Sequence, residues 1–280
     1  MTKKEREIRR YLRTGDHDLK FTVWSGDGFF ARTTEGDAAL RNALIQEVKS
    51  REAVTALPKW SQAPDLVALT RAKVTPMVRG LFPRREQDLI IELLERSVVF
   101  LTPDNIQRVL HDSQWLRTSW TLANLYLDSI GAPLLAKDAR RVVGLSEETT
   151  CYVSLRYFDK GSRFADFIVH ETAHVFHNCK REAVGLRQTR TREWLLNIDF
   201  RKRETFAYAC EAYSRILEQA HSPADRRKLL ADLVDEGPPA EDHVDAEEYV
   251  DILRDAVASR SGWKRVLARC ADPTRMRKHA

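Results

Sequence analysis

The chain has 280 residues, 43% of them hydrophobic, enough for one large buried core or two modest ones. Its formal net charge of +5 is mild and imposes neither a nucleic-acid nor a membrane partner. No apolar run approaches the roughly 18 residues of a membrane span, and the charged opening MTKKEREIRRYLRTG lacks the apolar stretch of a secretory signal. Cys151, Cys179, Cys210 and Cys270 form no C-x-x-C pair, which argues against a zinc ribbon or redox dithiol. A reduced, cytoplasmic setting is expected.

In chain order, the alternation over residues 19–34 predicts a β-hairpin around Ser25-Gly26-Asp27-Gly28. Ala39, Leu40, Leu44, Ile45 and Val48 recur at helical spacing, so a helix is expected from Asp37 to about Thr55. Pro58, Pro64, Pro76 and Pro83 predict loops and short pieces over 57–84. Residues 86–101 are apolar on one side, and Thr102-Pro103 reads as the cap of a helix to about His111. A buried helix is expected over 114–130, ended by Gly131-Ala132-Pro133.

Two β-like segments, 140–145 and 149–157, flank the polar turn Ser146-Glu147-Glu148. Ser162 reads as the cap of a helix over 163–180, followed by a long basic connection, 181–203, and a helix over 203–219. Ser222-Pro223 opens a further helix; an acidic linker, 236–246, leads to two last helices and a basic tail. The class expected is α+β, predominantly α-helical. The organisation expected is a mainly helical region with a short hairpin over 1–113, a central core over 114–235, and the linker with C-terminal helices over 236–280.

The most informative residues are His170-Glu171-Thr172-Ala173-His174. On a helix, positions i and i+4 lie one turn apart on one face, so two imidazoles there reach one ion while the intervening glutamate lies beside it. Two histidines leave zinc short of ligands, since a catalytic site has three protein ligands and water. His177 shares the face, but seven residues separate it from His170, about 10.5 Å along the axis. It is expected near the cleft rather than on the ion. In the helix over 203–219, Glu204, Ala207, Tyr208 and Glu211 share a face among apolar and small neighbours, where lone carboxylates are costly. Glu204 is the first choice as third ligand and Glu211 the second, the other carboxylate orienting the ligands.

An H-E-x-x-H pair followed some 30 residues later by a helical glutamate resembles the gluzincin zinc metallopeptidases, and is most similar to their minimal intracellular, IrrE-type forms. The resemblance covers about residues 149–215. It lacks a glycine before His174 and a Leu-Met-Pro-like segment after the glutamate helix. It implies a zincin-like core, with a small sheet packed on the H-E-x-x-H helix and a glutamate-bearing helix following. It also implies a hydrolase that cuts a peptide bond in a protein or peptide, with Zn2+ on His170, His174 and Glu204.

Glu171 is then the base that activates water. Candidate donors to the developing oxyanion are Tyr208, Tyr213, His177, Tyr157 and His243, which the sequence does not rank; Tyr208 and Tyr213 read more readily as aromatics on a packed helix, and Cys179 and Cys210 as ordinary buried thiols. An edge strand within 149–157 would pair with an extended substrate. The basic connection is consistent with a solvated loop, with selection of acidic substrates, or with contact to nucleic acid. The competing reading is a regulatory or nucleic-acid-associated protein whose zinc site is structural or vestigial.

Overall fold

The structure, a computed structural model, describes residues 1–55, 65–137, 139, 142–159, 162–189 and 192–272. Helices dominate. In the first part of the chain they are α1 (Lys3–Thr14), α2 (Phe29–Ala53), α3 (Leu66–Leu81), α4 (Arg84–Ser97), α5 (Ile106–Asp112) and α6 (Leu116–Ser129). In the second they are α7 (Phe167–Asn178), α8 (Arg203–Gln219), α9 (Pro223–Glu236), α10 (Ala246–Ala258) and α11 (Gly262–Cys270). Strands β1 (Val98–Phe100), β2 (Gly144–Glu147) and β3 (Thr150–Val153) form one sheet in the order β1-β3-β2. The fold is thus α+β and predominantly helical, as the sequence predicts. No helix among the described residues is long and apolar enough to cross a membrane.

The chain divides into two compact units. One comprises Met1–Gln62, Phe100–Glu147 and Ser154–Arg156; the other comprises Ala63–Val99, Glu148–Val153 and Tyr157–Ala280. The divisions expected at 113/114 and 235/236 both fall inside a unit.

In the first unit, α2 packs on α1, α5 and α6. The guanidinium of Arg41, buried on α2, donates to the Leu110 carbonyl (2.9 Å), Ser119 (2.8 Å) and Ser113 (3.2 Å), and Asp37 balances its charge at 2.7 Å. The hairpin expected over 19–34 does not form. The Asp18 carboxylate accepts from the backbone N–H groups of Lys20 (3.0 Å) and Thr22 (2.8 Å) and from the Thr22 hydroxyl (2.6 Å), so local turns capture the donors a strand ladder needs. Gly28, at φ 97°, then starts α2 at Phe29, eight residues before the expected start. Phe21 and Trp24 pack against Gly36, where a Cβ would lie 2.2 Å from Phe21 Cδ1.

In the second unit, the stretch read as loops contains a full helix, α3. Pro76 removes one helical hydrogen bond, and the burial of Thr70, Val74, Met77, Val78 and Leu81 outweighs that loss. Pro58 and Pro64 lie outside the described residues. Elsewhere in the chain, helix α5 begins at Ile106 rather than at Pro103, because the Asn105 side chain accepts from Thr102 N–H (2.9 Å) and donates to the Phe100 carbonyl (2.8 Å), closing a turn ahead of it. Strand β2 takes in Ser146 and Glu147, so the turn falls at Glu148, which adopts φ 52°; residues 140 and 141 lie outside the described set. Helices α6, α8, α9, α10 and α11 stand where expected, and the basic tail lies outside the described residues.

Candidate metal centre

Helix α7 is placed by the residue that caps it. Asp166, fully buried, is the N-cap: its Oδ1 accepts from Val169 N–H at 3.3 Å. Lys73 of α3 sets its ammonium 3.0 Å from Asp166 Oδ2, and the Tyr157 hydroxyl donates to Oδ1 at 3.3 Å. Ser162, the expected cap, instead accepts from Phe164 N–H (3.2 Å), and the helix begins at Phe167. Strand β3 packs on α7, and the Cys151 thiol donates to the Glu171 carbonyl at 3.2 Å.

Helix α8 lays Glu204, Tyr208 and Glu211, one face at i, i+4 and i+7, over the histidines of α7. His170 Nε2 and His174 Nε2 lie 3.3 Å apart, and Glu204 Oε2 lies 3.8 Å from the first and 3.6 Å from the second. An ion held by bonds of about 2.1 Å at tetrahedral angles separates its donors by about 3.4 Å. The three atoms therefore outline one face of such a coordination shell, and they form a His/His/Glu group able to hold a metal. The histidine side chains are 10% exposed and Glu204 is 37% exposed, so the open side of the group is the carboxylate side.

The remaining nitrogens are all engaged. His170 Nδ1 donates to Glu211 Oε2 at 3.1 Å, and Glu211 Oε1 accepts from Asp166 N–H at 2.6 Å. His174 Nδ1 lies 3.1 Å from His177 Nε2, and His177 Nδ1 lies 3.1 Å from Asn178 Oδ1. The proton arrangement that satisfies this chain puts N–H on His174 Nδ1 and on His177 Nδ1, leaving lone pairs on both Nε2 atoms that face Glu204. The donor chemistry fits a divalent ion such as zinc: two imidazoles and a carboxylate, with one imidazole oriented by a second carboxylate.

Burial opposes charge on His170, but the hydrogen bond and charge of Glu211, with the charges of Glu171 and Glu204, outweigh it and raise its pKa. Burial, together with the charges of His170, His177 and Arg203, holds His174 well below the ordinary histidine range. His177 is pushed down to about 4 by burial and by Arg203. Burial keeps the Cys179 and Cys210 thiols above the usual range, hence protonated.

The structure therefore brings together His170, Glu171, His174, His177, Glu204, Tyr208 and Glu211. The Tyr208 ring meets His170 edge-on at 4.4 Å between centroids. It does not bring in Tyr213, which packs on Trp263 at 4.9 Å, or His243, exposed beside Glu241. Asp166 and Lys73 were not singled out by sequence. An N-cap residue type four positions before His170 was the available signal for Asp166; Lys73 sits on the helix that Pro76 disguised.

One expectation about substrate contacts changes. Strand β3 is the central strand of its sheet, flanked by β1 and β2, so it offers no edge to an extended chain. Part of the basic connection is committed internally: Arg181 pairs with Glu86, Lys180 with Glu193 and Lys202 with Glu248. Arg190 lies outside the described residues. Comparison with protein-family models, with curated proteins and with solved structures yields no match.

Proposed function

We propose that the chain is a zinc-dependent hydrolase that cuts a peptide bond, with His170, His174 and Glu204 holding the ion and Glu171 acting as base. The observation that carries this reading is the set of three converging donor atoms, 3.3–3.8 Å apart, with Glu211 fixing the outer nitrogen of His170. The placement of β3 on α7 and of α8 across it supports a zincin-like core. Peptide, as the substrate class, comes from the gluzincin resemblance.

When bound, zinc supplies a Lewis acid that polarises a carbonyl and acidifies water. The Glu171 carboxylate takes the proton released as water attacks and delivers it to the departing amine nitrogen. Glu211 keeps His170 in the tautomer that presents Nε2. His177 does the same for His174 by accepting from its Nδ1. Of the oxyanion donors considered, Tyr157 is committed to Asp166, His177 to His174, and Tyr213 and His243 lie elsewhere. Tyr208, half-buried with its ring edge-on against His170, is the hydroxyl-bearing side chain set beside a proposed ligand, and in this reading it donates to the developing oxyanion.

Elemental analysis of protein purified without added metal tests the reading. About one zinc per chain is expected, lost in His170→Ala and in His174→Ala. Glu171→Gln is expected to keep the metal and lose hydrolysis across a peptide library. Metal-free wild-type protein overturns the proposal.

A further inference from the structure

The second unit contains a cavity of about 570 Å3 away from the metal ligands, with Arg85, Glu86, Arg181, Arg187, Thr189 and Arg192 in its wall. Its construction starts from Arg181. The guanidinium, 4% exposed, forms a two-pronged pair with buried Glu86 at 2.8 and 3.2 Å. Its Nε donates to the Arg187 carbonyl at 3.1 Å. The Arg181 backbone donates to the Glu193 carbonyl and accepts from Leu186 N–H, both at 2.9 Å, and Thr189 and Arg192 exchange backbone hydrogen bonds at 3.1 and 3.2 Å. The loop that carries Arg187 and Arg192 is therefore tied down at several points.

The charges in this wall do not balance. Glu86 is already matched by Arg181 and has Arg85 at 3.9 Å. Among the described residues, no carboxylate lies within ion-pair distance of the Arg187 or Arg192 guanidinium. Arg85 and Arg187 are exposed and Arg192 is half-buried, so solvent screens part of their mutual repulsion, and an anion entering between them relieves the rest. Guanidinium groups favour carboxylate by geometry as well as by charge.

We infer that this cavity receives an aspartate or glutamate side chain of the polypeptide substrate; the inference rests on the peptidase reading above. Reach is consistent with this. From His174 to the end of α7 the rise is about 6 Å, and the three residues to Arg181 add at most about 10 Å. An extended substrate covers that distance in about five residues. A nucleic acid is the weaker fit, because Lys180, Arg181 and Lys202 are each paired with a carboxylate, which removes three cations from any track a phosphate backbone would follow.

The test uses the full chain as its zinc-loaded Glu171→Gln variant and reads binding by fluorescence anisotropy. The probes are a short labelled peptide with several glutamates, its glutamine counterpart, and single-stranded DNA of equal charge. The glutamate peptide is expected to bind at least about tenfold more tightly at low salt, with the advantage shrinking as salt rises. Adding Arg187→Gln and Arg192→Gln is expected to remove the advantage while zinc content and circular dichroism stay those of the parent. Equal binding of the two peptides, an advantage that survives both arginine substitutions, or tighter binding of DNA each overturns the inference. Because the readout needs no turnover, wild-type protein that cuts no peptide yet keeps the arginine-dependent preference rejects the hydrolase reading and supports the anion subsite.

Discussion

Glu211 makes the sharpest distinction available at single-residue resolution. One oxygen holds His170 and the other holds the start of α7, while Glu204 faces both Nε2 atoms. Glu211→Ala is expected to weaken zinc affinity by about 10–100-fold, and Glu204→Ala to weaken it considerably more, measured by competition with a chromophoric chelator. The opposite order would assign the ligand to Glu211. Asp18 gives a prediction in the other unit. Hydrogen bonds from the Thr22 side chain and backbone and from Lys20 lower its pKa to about 2. A depressed carboxyl contributes stability that is full above the unfolded value, near 3.9, and is lost as pH falls through the folded one. The stability gap between wild type and Asp18→Asn, followed by urea titration, is therefore expected to be constant at neutral pH and to close between about pH 4 and 2. A gap that widens on acidification would contradict this.

Among the secondary-structure elements, α7 depends on its cap and α3 on close packing. Asp166→Ala removes the acceptor for Val169 N–H and the partner of Lys73. It is expected to cost about 1 kcal/mol from the cap alone, read as a lower denaturation midpoint. Gly80→Ala would place a Cβ 2.1 Å from Trp263 Cδ1, and overpacking of that kind costs about 1–3 kcal/mol. An unchanged midpoint would mean that α11 shifts freely against α3. These elements also mark what could be read in advance. The H-E-x-x-H residues and the glutamate helix were legible because i, i+4 spacing and a carboxylate on an apolar face are local patterns with few alternatives. Helix α3 was not, because proline reports a lost hydrogen bond and says nothing of the buried face that compensates for it. The hairpin over 19–34 was misread because alternation registers side-chain polarity, whereas Asp18 acts on backbone donors. The sheet order β1-β3-β2 joins residues far apart in sequence, and no local pattern encodes it.

At the scale of the whole chain, the proposed metal site would link metal binding to folding. All the proposed ligands lie in the unit containing Tyr157–Ala280, so zinc at about a hundred times its dissociation constant is expected to stabilise that unit by about 2.7 kcal/mol. Calorimetry with and without a chelator reads this as a shift in melting temperature, absent in His174→Ala. If the chain melts in two transitions, only one is expected to move. A shift of equal size in the His174→Ala protein would place the ion elsewhere.

The central position of β3 bears on how the proposed peptidase would choose its substrates. An enzyme that grips its substrate by adding it as a strand recognises main chain, which every polypeptide has, and so tolerates many sequences. Among the described residues, the edges of this sheet are β1, with three residues, and β2, with four, so main-chain pairing there would be short. Choice of substrate then rests on side chains. Under the proposed peptidase reading, selection of that kind favours a few cuts at chosen sites over general digestion.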